Sequence, residues 1–206
     1  SVVDTTSPSI TAPSAIQVEA VSANNTLDIG NPVYGDLIDI ASVTNDAPDS
    51  FPLGETTVTW TATDSSGNFA TSIQTVSVVD TTAPSITAPS AIQVEATGIE
   101  GNLADIGTST ASDSVEIISI TNDAPDSFPL GETTVTWTAT DSSGNFATST
   151  QTVSVVDTTA PSITAPSSIQ VEATSVDNVL DIGNPVYGDL IDIASVTNDA
   201  PDSFPL

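Results

Sequence analysis

Carboxylates are the only side chains in this chain that carry charge near neutrality. The 27 Asp and Glu stand against no Lys, Arg or His, for a formal charge of −27. They fall in recurring sets. Asp4, Asp36, Asp64 and Asn68 come back as Asp80, Asp113, Asp141 and Asn145, and in part as Asp157 and Asp189. Asp46, Asp49 and Glu55 come back as Asp123, Asp126 and Glu132. Oxygen-only sets of carboxylates, amides and backbone carbonyls suit Ca2+, which takes about six to eight such ligands. The same residues offer little catalysis. A pair such as Asp46 and Asp49 has the side chains that glycoside hydrolysis uses, but it recurs in each repeat inside the turn-like run NDAPDS. Without His, Cys, Lys or Arg there is no ordinary nucleophile–base pair and no cationic stabiliser of a transition state, so the chain reads as non-enzymatic. Nor can any side chain meet phosphate as a cation, which weighs against nucleic acid or an anionic membrane as partner.

The elements that must position these carboxylates are repeats. Trp60 and Trp137 lie 77 residues apart, Asp4 and Asp80 lie 76 apart, and Asp4 and Asp157 lie 153 apart. Such self-similarity overrules the length prior of one or two ordinary domains. The division expected is a tail of a preceding module at 1–4, a module at 5–80, a second at 81–157 and an incomplete third at 158–206. Leu206 matches Leu130, and the segment matching Gly131–Val153 does not follow it. The chain therefore reads as a window on a longer array; donor-strand exchange, with another subunit supplying the hairpin, is the alternative. Modules one and three share NPVYGDLIDIASVTN, whereas module two has TSTASDSVEIISITN, an A, B, A alternation. Recent duplication of a two-module unit explains it, as does a lateral contact made by the A surface with Tyr34 and Tyr187.

Within a module the signal is strand. Val58, Trp60 and Ala62 alternate with Thr57, Thr59, Thr61 and Thr63, the period of two of a half-buried antiparallel strand. After the turn from Asp64 to Asn68, Ile73, Val76 and Val78 mark a partner strand whose change of phase predicts a bulge between 73 and 76. Ile10, Ile16 and Val18, then Leu27 and Ile29, then Ile38, Ile40 and Val43 mark three further strands. Pro8, Pro13, Pro32, Pro48 and Pro52 punctuate their boundaries, where no ladder donor is lost. Short strands at this spacing, with no helical period, predict an all-β chain of tandem immunoglobulin-like β-sandwich modules in an elongated array. Glu19, Glu95 and Glu172 read as solvent-facing charges that guard a sheet edge. There is no Cys and hence no disulfide, and no apolar run long enough for a membrane helix.

The run TVTWTATDSSGNFATSTQTVSVVDTTAP resembles the signature of the hyalin repeat (HYR), and SITAPSAIQVEAT and FPLGETTV fit the same pattern across essentially the whole chain. Many hyalin repeats carry a Cys pair near the positions of Trp60 and Ser72; this chain departs from them there and leaves packing to replace the disulfide. The resemblance implies an extracellular or cell-surface adhesion or scaffolding module with no catalytic residues.

In a sandwich of this kind the chain enters at one end and leaves at the other. The linker aspartate, the last hairpin and the loop between the second and third strands should meet at the leading end. Asp80, Asp113, Asp141 and Asn145 are thus expected to converge and to face Asp46, Asp49 and Glu55 of the module before. Asp157 and Asp189 would likewise face Asp123, Asp126 and Glu132, and Asp4, Asp36, Asp64 and Asn68 would form the first such site. Calcium there would cancel repulsion and stiffen the joint. In the other reading, DSSGN is a turn whose Asp and Asn bond their own backbone, and DTT an exposed linker. The function expected is a structural extracellular repeat of a stalk, filament or surface layer that assembles with other copies of itself. The alternative is an adhesin or carbohydrate-binding module that meets glycans through Tyr34, Tyr187 or Trp60, although Trp60 is in phase with the core. Asn24, in Asn-Asn-Thr, is an N-glycosylation sequon.

Overall fold

The structure is a computed structural model that describes residues 3–205; Ser1 and Val2 of the expected 1–4 tail, and Leu206, lie outside the described residues. It divides into two compact units. The first runs to Thr87 and adds Ser109–Asn122 and Trp137–Ser149; the second comprises Ala88–Thr108, Asp123–Thr136 and the chain from Thr150 onward.

The first repeat, within the first unit, contains β1 (Ser9–Thr11), β2 (Ile16–Glu19), β3 (Asn24–Asn25), β4 (Val33–Gly35), β5 (Ile40–Asn45), β6 (Phe51–Pro52), β7 (Gly54–Asp64) and β8 (Phe69–Val79). Four of them form a sheet in the order β2, β8, β7, β5, and β1–β4 and β3–β6 form two short ribbons. Strand β2 runs parallel to β8, with Ile16 opposite Val76 and Glu19 opposite Val79. The core fills the space between the sheet and the ribbons. Val58, Trp60, Ala62, Val76 and Val78 come from the β7–β8 hairpin, and Phe51 and Ala20 from other segments. Ile10, Val18, Leu27, Ile29 and Leu53 pack against that cluster. Residues of β7 alternate between buried and half-exposed along its inner half, as a period of two requires.

Four expectations are corrected by the observed strands and their register. The β7–β8 ladder is unbroken from Gly54 opposite Val78 to Thr63 opposite Phe69, so there is no bulge between 73 and 76. The inward residues of β8 are Gln74, Val76 and Val78, and Ile73 points out with 66% of its surface exposed. The irregularity lies instead between Ile40 and Ser42 in the pairing of β5 with β7. Leu27 and Ile29 pack on the core from an irregular segment rather than a strand, because Asp28 turns the chain by accepting the Gly30 amide at 2.9 Å. Ile38 lies outside β5, exposed in the loop before it.

The second repeat repeats the plan with β9 (Ser85–Thr87), β10 (Ile92–Glu95), β11 (Thr110–Ser112), β12 (Ile117–Asn122), β13 (Gly131–Asp141) and β14 (Phe146–Val156). In the first unit, β9 pairs with β11, and β12 pairs with the end of β13 from Asn122 opposite Trp137 to Ile117 opposite Asp141. In the second unit, β10 runs parallel to β14, with Ile92 opposite Val153. That unit also holds β15 (Ser162–Thr164), β16 (Asp177–Asn178), β17 (Val186–Gly188) and β18 (Phe204–Pro205), paired as β15–β17 and β16–β18. Among the described residues no helix is long and apolar enough to cross a membrane.

Candidate metal centre

The DSSGN turn builds the floor of each cluster. After β7, Gly67 takes φ of 91°, a conformation open to Gly without a steric cost, and closes the hairpin. The Asp64 amide donates to the Asn68 carbonyl at 3.0 Å. The Asp64 carboxylate folds back over the turn: Oδ1 accepts the amides of Ser66 and Asn68 at 2.9 and 2.8 Å, and Oδ2 accepts Asn68 Nδ2 at 2.8 Å. Asp141 does the same with Ser143 and Asn145. Both aspartates are buried. Burial works against their charged form, but the hydrogen bonds from Asn68 or Asn145, then from the turn amides, outweigh it and hold each carboxyl below the usual range.

The linker and the loop before β5 or β12 supply the rest. Asn68 Nδ2 also donates to the Asp4 carbonyl at 3.3 Å, and Asn145 Nδ2 to that of Asp80 at 3.2 Å, so the hairpin grips the linker. Carboxylate oxygens of Asp4, Asp36 and Asp64 then lie within 4.8 Å of one another, as do those of Asp80, Asp113 and Asp141. Asp4, Asp36, Asp80 and Asp113 each keep an Oδ2 atom out of solvent with no hydrogen-bond partner. Buried acceptors are almost always satisfied. Four orphaned carboxylate oxygens thus stand in two like-charged triads, in a chain with no cationic side chain to neutralise them.

The other expected ligands are placed differently. Asp46 Oδ1 accepts the Thr59 amide and Asp123 Oδ1 the Thr136 amide, both at 2.6 Å, so each closes its own repeat. Asp49, Glu55, Asp126 and Glu132 are exposed. Asp157 and Asp189 accept the amides of Thr159 and Leu190. The amide nitrogens of Asn68 and Asn145 brace the triads from within.

Sequence reasoning missed several polar positions. Glu19 and Glu95 do lie on edge strands, but their carboxylates are engaged. Glu19 takes the Thr81 amide at 2.7 Å and the hydroxyls of Thr81 and Thr82 at 2.9 Å; Glu95 does the same with Thr158 and Thr159. The Asp-Thr-Thr linker is thus fastened to the edge strand of the repeat that precedes it. Buried Asn25 takes the Val21 amide and donates to the carbonyls of Ser22 and Phe51. Trp60 is core, at 5% exposure, while Tyr34 sits half-exposed on β4 opposite Ile10.

Comparison with known proteins decides the lineage. The HYR domain model matches residues 3–78 and again 79–155. The chain belongs to the HYR domain family. It is 36% identical to hyalin of Strongylocentrotus purpuratus over 232 aligned residues, covering 99% of this chain and 19% of that protein. With hyalin of Lytechinus variegatus it shares 36% identity over 199 residues, covering 89% of this chain and 36% of the relative. The chain therefore spans about a fifth to a third of these relatives. Among solved structures, Drosophila N-cadherin EC1-4 aligns at a TM-score of 0.37 and 15% identity, over 74% of this chain and 50% of that one. As tandem HYR repeats the segment is extracellular or cell-surface.

Proposed function

We propose that these HYR repeats are a structural segment of an extracellular stalk, filament or surface layer, that they assemble with other copies of themselves, and that Ca2+ rigidifies them. Asp4, Asp36 and Asp64 would hold one ion, and Asp80, Asp113 and Asp141 another. The observation that carries this reading is the set of sequestered, partnerless Oδ2 atoms within the two triads. A hard cation with flexible coordination suits all-carboxylate donors. Zinc prefers the Cys and His that the chain lacks, and magnesium demands stricter octahedral geometry. Each triad joins a linker, a loop and a hairpin tip, so an ion there would tie together three segments that otherwise repel.

The test is calorimetric titration of CaCl2 into the chelator-stripped whole chain, with melting curves in calcium and in chelator. Saturable binding and a higher melting temperature in calcium are expected. No heat and superimposable melts would remove the metal from this reading. Electron microscopy of concentrated protein in calcium tests assembly separately, through a filament or layer with an axial spacing set by one or two repeats.

A further inference from the structure

Val115 belongs by sequence to the second repeat, two residues beyond Asp113, yet it is buried to 7% exposure in a cluster whose other members are Ala20, Phe51, Val58, Trp60, Val76 and Val78 of the first repeat. Ala47 and Leu53, from the segment between β5 and β7 of the first repeat, pack against the same cluster. All of these residues lie in one compact unit, to which the loop and strand from Ser109 to Asn122 also belong. The residue at the same place in the first repeat is Ile38, larger and more apolar, and it is 62% exposed. An apolar side chain buried in one copy of a loop and solvated in the other is not held by its own repeat. What differs is the neighbour.

We infer that Val115 is an inter-repeat plug: the loop that carries Asp113 presents an apolar side chain to the trailing end of the repeat before it, and that contact stabilises the earlier repeat. The partner surface is the open end of the first-repeat core, bordered by the loop NDAPDSFPLGE, which recurs unchanged at Asn122–Glu132. The coupling rests on apolar burial alone and is independent of the calcium reading.

Hydrogen-exchange mass spectrometry on the whole chain in chelator tests it. Val115→Asp should speed exchange of first-repeat amides in Val58–Ala62 and Val76–Val78 by about tenfold or more, the effect of losing one buried aliphatic contact. Ile38→Asp, at the same loop position inside the first repeat, should leave those amides at the wild-type rate. Val115→Ala guards against a general folding defect, and should raise the same first-repeat amides by a smaller factor while the second-repeat amides around Val153–Val155 stay protected. First-repeat exchange unchanged in both Val115 variants would overturn the inference. So would an equal effect from Ile38→Asp, which would make the position a stabiliser of its own repeat.

Discussion

Trp60 donates its indole N–H to Gln74 Oε1 at 3.0 Å inside the hydrophobic core. The Gln74 amide nitrogen then donates to the carbonyls of Ser14 and Ile29, both at 3.0 Å. One buried amide therefore satisfies the indole and ties the hairpin to two segments that carry no ladder of their own at those points. In the second repeat, Gln151 reaches Ser90 and Ile106 in the same way. A buried amide with its donors and acceptor all paired specifies one arrangement of the core, whereas an aliphatic side chain would tolerate several.

Replacing Gln74 with Leu should destabilise the first repeat by about 2–4 kcal/mol, since it strands an indole N–H and two carbonyls away from water. Gln74→Glu should also destabilise at neutral pH, because a carboxylate accepts from Trp60 but cannot donate to Ser14 and Ile29. Urea unfolding followed by Trp60 fluorescence in a Trp137→Phe background measures both. A Leu variant as stable as wild type would show that shape alone fills the site.

The linker latch sets an acid limit. The Glu19 carboxyl is held below its ordinary value of 4.5, first by the Thr81 amide and then by the Thr82 hydroxyl, against a smaller effect of burial. For Glu95 the Thr158 hydroxyl comes first, followed by the Thr158 amide. A carboxyl depressed in the folded state stabilises fully above its unfolded value and loses that contribution as pH falls through its lower folded value. The wild-type melting temperature should thus decline as pH falls below about 4.5, the ordinary Glu value. Glu19→Gln with Glu95→Gln should melt lower near neutrality and show a shallower acid decline. Parallel pH curves would mean that the latches carry no proton-linked stability.

Much of this fold was legible because its repeats restate it. The alternation of Val58, Trp60 and Ala62 located β7, and the recurrence of Asp4, Asp36 and Asp64 as Asp80, Asp113 and Asp141 named both triads. The partner strand was misread for a physical reason. Apolarity places Ile73 inside, but the indole of Trp60 needs an acceptor, and the pleat that turns Gln74 inward turns Ile73 out. Glu19 was opaque because its partners are 62 and 63 residues away. Val115 was opaque because the residues that bury it belong to another repeat, and its counterpart Ile38 is solvated.

The hairpin tip depends on one backbone conformation. Gly67 has φ of 91° with no atom near the position a Cβ would take, so strain and not collision opposes a side chain there. Gly67→Ala should cost about 1 kcal/mol and Gly67→Val more, since a β-branched residue fits a positive φ worse. The turn also positions the amides that fill Asp64 Oδ1, so the same variants should weaken calcium binding if the first triad holds the ion. Denaturant unfolding and calorimetry on one preparation report both effects. A Gly67→Ala variant at wild-type stability would mean that the turn relaxes to another conformation.

Asp36 separates a cation site from a merely crowded surface, because the two readings differ in sign. Its Oδ2 is buried without a donor, beside carboxylate oxygens of Asp4 and Asp64. With no ion bound, Asp36→Asn removes a like charge and should raise the melting temperature in chelator. With calcium present the same variant has lost a ligand charge, so its gain on adding the ion should shrink below that of wild type. Asp113→Asn should repeat the pattern in the second repeat. Asp46→Asn is the control, since that carboxylate serves the Thr59 amide outside either triad; it should lower stability equally in calcium and in chelator. Melting curves of the three variants under both conditions give the comparison. An Asp36→Asn variant that lowers stability in chelator and keeps the full calcium response would show that the triad binds no ion.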